Sequence, residues 1–295
     1  MSPLSIAITL VLNGLSYAAI LFIACSGFSL IFGLMNVVSF CHGTFYLLSC
    51  FISYYAFKAT GSWVVALITG AAGIGLFAGI FKFTLFDRVM GDGDRESLMT
   101  LGMNFVVVDV ITFLFPTDAK IIPTPKVLSG ILSLPFNVNY PVIRFMYIAI
   151  AVLIGLIIWF FLQKTRLGQI IRAGVDDKSM TSALGVNISA IFTIVYVLGM
   201  ALVGVSGALG ATYMSFRVDL TENQMLLYSM IIVTIGSMDS IVGAAIGAVI
   251  VGVLDSFTKY YVQSLSTVLL FILVVVLLII APRGIMGKKS RRVET

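Results

Sequence analysis

The sequence has few charged residues and only one histidine. Charged residues make up 11% of its 295 positions, while 60% are hydrophobic. A soluble domain of this size would carry about 25% charged and about 45–50% apolar residues, so a water-soluble globular enzyme is excluded. The chain is expected to lie in a lipid bilayer.

Side chains for catalysis and metal binding are also scarce. The three cysteines, Cys25, Cys41 and Cys50, lie in apolar stretches without metal-type spacing to His42, and their odd number argues against a disulfide framework. An intramembrane enzyme needs clustered His, Asp, Glu or Cys residues, and the apolar runs contain no close carboxylate pair. We therefore predict no catalytic residue and no metal site.

A nucleotide-binding loop is absent as well. The run that ends in Gly287 and Lys288 fails the Gly-x-x-x-x-Gly-Lys-Ser/Thr pattern, because Pro282 stands at the first glycine and Lys289 at the Ser/Thr position. No cofactor is expected on this chain, and any ATP that drives it would be bound by another subunit.

What the sequence does contain is a series of long apolar runs. They predict an all-α polytopic membrane protein with about eight to nine transmembrane helices, the first of them a retained span rather than a cleaved signal. The stretches 225–238 and 241–257 are either two tilted spans or one broken helix. The candidate spans are 7–33, 36–57, 63–86, 97–115, 143–163, 189–213, 225–238, 241–257 and 267–281.

The basic residues predict an orientation. If the stretches 82–96 and 164–187 and the tail after Arg283 are cytoplasmic, twelve of the eighteen Lys and Arg residues lie inside and six outside. This asymmetry favours an external N-terminus and a cytoplasmic C-terminus, and explains the basic charge without nucleic acid. The proline-rich stretch 116–142 is then an external loop.

The loop 164–187 is longer than a simple connection, which needs about two to eight residues. Asp176 or Asp177 can cap a short helix that runs to Leu184, with Gly185 or Asn187 as its left-handed stop. Such a helix suits docking into a groove of a partner protein. The alternative is a helix that only lies on lipid headgroups.

Several polar residues lie within the apolar runs. Asn36, Ser39, His42 and Asn104 indicate either hydrogen bonds between helices or a hydrated path for a zwitterion. Asp109 is the clearest carboxylate for ion coupling, although a structural or hydrated role is favoured. The sequence shows no arrangement of fixed charges aimed at a carboxylate or an ammonium group.

Four stretches of the sequence carry a recognisable pattern. Its residues are Gly27, Ser29, Leu30, Ile31, Phe32, Gly33, Asn36, His42 and Gly43; Arg172, Ala173, Asp176, Ala183, Gly185, Val186 and Asn187; Gly236, Met238, Ser240, Gly243 and Ala244; and Pro282, Gly284 and Gly287. In this order, from about residue 13 to 287, the chain resembles the LivH-type permease subunits of ABC importers for branched-chain amino acids. Four residues depart from the family pattern, namely Cys41, Ser237, Asp239 and Ala281.

The resemblance implies that residues 1–295 form a single permease domain of a bacterial cytoplasmic (inner) membrane importer. Its partners would be a second related permease, two ABC ATPase subunits that use ATP and Mg, and a periplasmic or lipid-anchored solute-binding protein. The cargo would be leucine, isoleucine, valine or a related compound. The loop 164–187 would couple to the ATPases through the residues Arg172, Ala173, Asp176, Ala183, Gly185 and Asn187.

Two other classes remain open at this point. A stand-alone ion-coupled secondary transporter or channel would use Asp109 or Asp255 for coupling. A purely structural membrane scaffold would need neither an ATPase nor an ion gradient. Uptake by this chain alone, with an ion gradient and no ATP, would favour the secondary transporter.

Overall fold

A computed structural model describes residues 3–35, 37–89, 93–115, 118–135, 138–176, 178–218, 220–237, 240–281 and 284–286. Within these ranges the chain forms eleven α-helices and one β-hairpin. The helices are α1 (Pro3–Met35), α2 (His42–Thr60), α3 (Trp63–Thr84), α4 (Gly93–Leu114), α5 (Val142–Lys164), α6 (Arg166–Asp176), α7 (Lys178–Ala183), α8 (Ile188–Tyr213), α9 (Thr221–Gly236), α10 (Ile241–Tyr261) and α11 (Ser266–Ile280); the strands are β1 (Ile131–Leu134) and β2 (Val138–Pro141).

The all-α polytopic architecture is confirmed. In the described part of the chain, six helices are long and apolar enough to cross a membrane, namely α1, α3, α4, α5, α8 and α10. Helix α11 is apolar but has only 15 residues, α9 has 16, and α2 is a 19-residue helix rich in polar side chains. The count of eight to nine spans and the orientation of the termini therefore stay predictions.

Helices α9 and α10 form an antiparallel pair, which decides against one broken helix. A Cβ on Gly236 would lie 2.2 Å from the carbonyl oxygen of Gly243, and a Cβ on Gly247 would lie 2.6 Å from that of Ile232. Because the later residue of α10 meets the earlier residue of α9, the two helices run in opposite directions. Met238 and Asp239 lie outside the described residues.

Small residues let the central helices approach closely. A Cβ on Gly27 would lie 2.3 Å from the Gly199 carbonyl oxygen where α1 crosses α8, and a Cβ on Gly14 would lie 2.5 Å from Cα of Val253 where α1 crosses α10. The Ser206 hydroxyl of α8 also donates to a carbonyl of α1, at 2.8 Å. This is the packing mode of compact membrane bundles.

Helices α4 and α5 lie at the periphery and show mostly apolar side chains on their open faces. Phe113 is 89% exposed, and Trp159 is exposed as well. Asp109 also lies on the open face of α4, and it makes no hydrogen bond or ion pair with any residue that the structure describes. It is therefore not buried against a polar group of a neighbouring helix in this chain.

The stretch 116–142 contains short ordered pieces rather than a span. Strand β1 pairs antiparallel with β2, with Leu132 opposite Tyr140. The Tyr140 hydroxyl lies 2.9 Å from the Ser16 hydroxyl, so the hairpin is attached to the first half of α1. Residues 116, 117, 136 and 137 lie outside the described ranges.

Candidate functional site

The loop 164–187 folds into two helices, α6 and α7, rather than the single short helix predicted near its end. Gly168, Ile171 and Gly174 recur at helical spacing and are buried, which gives α6 one packed side. A Cβ on Gly168 would lie 2.4 Å from the carbonyl oxygens of Phe161 and Leu162. Helix α6 is therefore held directly against the end of α5.

Arg172 reinforces this contact. Its Nη1 group donates to the carbonyl oxygen of Leu162 and, at 3.1 Å, to Oε1 of Gln163. A cation beside the last carbonyls of a helix satisfies them and interacts favourably with the helix dipole. The structure thus places Arg172 against α5 within the chain, while the neighbouring Ala173 is exposed.

Gly185 and Asn187 have separate roles after α7. Gly185 has φ of +84° and donates from its N–H to the Ser182 carbonyl at 3.0 Å, so it is the left-handed stop that was predicted at one of these two positions. Asn187 instead caps α8, with Oδ1 accepting from the N–H of Ala190 at 3.1 Å. Asp176 ends α6, but its side chain, like all of Asp177, lies outside the described residues.

The tip of the loop leaves apolar side chains uncovered. Met180 is 61% exposed and Leu184 is 74% exposed, and Ala183 between them is exposed too. We call Met180, Ala183, Leu184 and Gly185 the α7 corner. It offers a small apolar surface on an element that is fixed to α5 through α6 and to α8 through Asn187.

A second group of residues surrounds the break between α1 and α2. Val37, Ser39 and Cys41 are buried although their backbone is not helical. The Thr100 hydroxyl of α4 accepts from the Phe40 N–H at 3.1 Å. Non-helical backbone inside a membrane bundle needs such partners, because lipid offers none.

The polar residues singled out in the sequence meet partly at this break. The buried His42 ring packs edge-on against Phe28 at 5.1 Å, and neither ring nitrogen makes a hydrogen bond of normal geometry, although the Ala24 backbone lies close enough to interact. The Ser39 hydroxyl lies 3.3 Å from Sγ of Cys41.

Asn104 joins the same region from α4, where its Oδ1 accepts from the Thr44 hydroxyl. Asn36 lies outside the described residues. Thr44 and Thr100 were not anticipated, because a threonine in a helix usually bonds its own backbone and gives no sequence signal of a contact with another helix.

Replacing Thr100 by valine should destabilise the protein by about 1 kcal/mol or more, because the shape is kept while the Phe40 N–H loses its acceptor. Thr112→Val is the matched control, since that exposed hydroxyl only bonds the Val108 carbonyl of its own helix. Thermal unfolding of the purified chain in detergent measures both. Equal stability of the two variants would show that Thr100 does not hold the break.

A third site was missed in the sequence. A cavity of about 320 Å³ lies between α1, α5, α8 and α10, and fixed charges of both signs converge on it, contrary to the expectation that the spans hold no such arrangement. Asp255, which is 3% exposed, accepts from the Tyr228 hydroxyl at 2.7 Å and pairs with Lys259 at 2.8 Å. The lining residues are Leu10, Asn13, Tyr17, Arg144, Tyr213, Met214, Gly252, Asp255, Ser256, Lys259 and Tyr260.

Comparison with known proteins identifies the family. The family model described as "Branched-chain amino acid transport system / permease component" matches residues 10–280. The chain belongs to this family. It is thus a transport permease component rather than an enzyme, and a multi-pass protein of the inner membrane.

Curated relatives match the permease along nearly its whole length. The branched-chain amino acid permease LivH of Salmonella typhimurium is 22% identical, with 94% of each chain covered. BraD of Pseudomonas aeruginosa is 25% identical with the same coverage, and a probable LivH of Methanocaldococcus jannaschii is 26% identical over 94% of this chain and 92% of the relative. No solved structure matches the permease significantly.

Proposed function

We propose that this permease is the membrane subunit of an ATP-driven importer for leucine, isoleucine, valine or related amino acids. The family match supports the transport role, and the names of the relatives supply the substrate class. The partners are a second related permease, two ABC ATPase subunits that bind ATP and Mg, and an external solute-binding protein. The protein has nine spans in this proposal, which are the six long apolar helices together with α2, α9 and α11.

The observation that carries the coupling role is the exposed α7 corner on a braced support. Arg172 and Gly168 hold α6 against α5, and Asn187 caps the start of α8. A displacement of the α7 corner would therefore be transmitted to both α5 and α8. When ATP binding brings the two ATPase subunits together, the α7 corner would be displaced and would shift α5 and α8. This movement would switch the transport cavity between an outward-open and an inward-open state. Ala173, Asp176 and Ala183 belong to this coupling segment.

The path of the substrate is proposed to pass the break between α1 and α2. Ser39 and His42 lie at this break, Asn104 faces it from α4, and Asn36 precedes it in the sequence. The ring nitrogens of the buried His42 make no hydrogen bond of normal geometry, and burying such groups without a partner costs free energy. A polar group of the passing substrate would offer them a hydrogen-bond partner.

Replacing Gly185 by valine should uncouple ATP hydrolysis from transport. The left-handed backbone costs a β-branched residue about 1–3 kcal/mol, so the α7 corner would be displaced, although no neighbouring atom blocks the new side chain. Transport per ATP hydrolysed is expected to fall several-fold in the reconstituted importer.

The matched control is Gly61→Val at the end of α2. Gly61 also has positive φ, +67°, and open space around it, but it lies far from the corner along the chain. Wild-type coupling in an assembled Gly185→Val importer, or an equal loss in Gly61→Val, would refute the role of the corner.

The alternative function is tested separately. Uptake by this chain alone under an ion gradient, without ATP, would favour a secondary transporter instead.

A further inference from the structure

One side of the cavity between α1, α5, α8 and α10 is formed by the positively charged Arg144, whose side chain is fixed by its neighbours. The guanidinium donates from Nη1 to Oδ1 of Asn13 and lies between two aromatic rings, 5.5 Å from the Tyr140 centroid and 5.4 Å from that of Tyr213. The Tyr213 hydroxyl in turn donates to the Asn13 carbonyl at 3.3 Å. Arg144 is therefore held in one place by three neighbours.

Arg144 forms no ion pair with a carboxylate in the part of the chain that the structure describes. A guanidinium carries five N–H donors in a planar fork that fits a carboxylate, and only one nitrogen is engaged here. The remaining donors are open to a bound anion.

The other two charged residues of the lining, Asp255 and Lys259, form an ion pair with each other. Asp255 is almost fully buried and pairs with Lys259, whose Nζ also lies 5.3 Å from the Tyr17 ring and 6.0 Å from the Tyr228 ring. The cavity thus holds two cations and one carboxylate. The aromatic faces beside Asp255 already accommodate one ammonium group, that of Lys259.

We propose that this cavity binds the transported amino acid as a zwitterion, with its carboxylate on Arg144 and its ammonium group on the side of Asp255 and Tyr17. The inference rests on the proposed import function and assigns a site to it. A volume of about 320 Å³ is at the small end of ligand pockets, as expected for one amino acid. Leu10 and Met214 supply apolar surface for its side chain.

The location fits the direction of transport. The cavity lies beside the first half of α1, at the start of α5 and at the ends of α8 and α10, which is the side that the distribution of basic residues predicts to be outside. A substrate released by an external binding protein would meet this site first. A phosphate of an anionic lipid could offer Arg144 the same kind of oxygen, so the test must separate the two sources.

The test is substrate protection of a cysteine in the cavity. Met214→Cys in the assembled importer, in phosphatidylcholine nanodiscs without binding protein, is labelled with a membrane-impermeant thiol reagent; Cys25, Cys41 and Cys50 are buried, so the parent protein gives the background. Leucine should slow the labelling, and leucinamide, which lacks the carboxylate, should not. Adding Arg144→Gln should weaken protection by about tenfold or more.

Arg217→Gln is the matched control, because it removes an exposed guanidinium that does not line the cavity. It should leave protection by leucine unchanged. Equal protection by leucine and leucinamide, or equal loss in Arg144→Gln and Arg217→Gln, would overturn the site. So would protection by phosphatidylglycerol in place of leucine, since the ligand would then be a lipid headgroup.

ATP-dependent leucine uptake by the same importer, reconstituted in sealed phosphatidylcholine vesicles with the solute-binding protein added, separates this proposal from the import function. Uptake without protection would overturn the site and leave the function standing. Protection without uptake would support the site and count against ATP-driven import. If neither protection nor uptake is observed, both the binding site and the import function are refuted.

Discussion

Alanine in place of Gly27 is expected to prevent stable packing of α1 against α8. The added Cβ would lie 2.3 Å from the carbonyl oxygen of Gly199 and 3.1 Å from its carbonyl carbon, so it meets backbone and not the end of a flexible side chain. Overpacking a core costs about 1–3 kcal/mol where side chains can yield, and here the two helices themselves would have to separate.

Gly102→Ala is the matched control for Gly27→Ala. Gly102 lies in the middle of α4 with nothing within 4 Å of its added Cβ. Alanine is favoured over glycine in a helix by about 1 kcal/mol, so this variant should be as stable as the parent or slightly more stable. Membrane abundance and thermal aggregation in detergent measure both. The same midpoint for the two variants would show that the α1–α8 crossing is not tight.

The glycine pattern illustrates what the sequence alone could predict. Glycines at roughly one-turn spacing in apolar runs indicated a compact bundle, and the hydropathy of those runs located α1, α3, α5, α8 and α10 to within a few residues of their observed ends. Both signals are local, because they depend on what a helix needs in order to lie in lipid and touch another helix.

Features that depend on two distant segments were missed. The span predicted from residue 36 begins at His42, because the buried backbone before it is satisfied by Thr100 of α4. Hydropathy does not reveal this break, since Val37 and Val38 are as apolar as helix residues. Helix α6 was likewise missed, because its packed side is defined by the end of α5.

The cationic cavity was missed for the same reason. Arg144 and Asn13 are 131 residues apart, and Arg144 and Lys259 each read in the sequence as a charge at the end of a span. Only the crossing of α1 with α5 and α10 brings them to one place. Asp109, the carboxylate that did stand out within a span, lies on an open face and not in this cavity.

Lys82 is a further case in which a charge assigned to a loop proves to be buried. It lies in the last turn of α3 with 0% of its side chain exposed, and its ammonium group pairs with Asp87 at 2.5 Å. Asp87 sits in the short turn Phe86–Arg88 that follows α3, and it is 31% exposed. Among the described residues, only the Asp87 carboxylate forms an ion pair with Lys82, so it alone compensates the charge of this buried ammonium group.

Asp87→Asn is therefore expected to destabilise the isolated chain by about 3 kcal/mol, because removing one member of a buried pair leaves the other charge uncompensated. Lys82→Met should cost much less, since methionine fills similar space without a charge. The double variant should recover most of the stability that Asp87→Asn loses, and this recovery separates the ion pair from general damage to the turn.

The control is Asp109→Asn, which removes a carboxylate with no partner among the described residues and should leave the stability unchanged. Thermal unfolding in detergent measures all four variants, and a double variant as unstable as Asp87→Asn would show that Lys82 does not depend on this carboxylate.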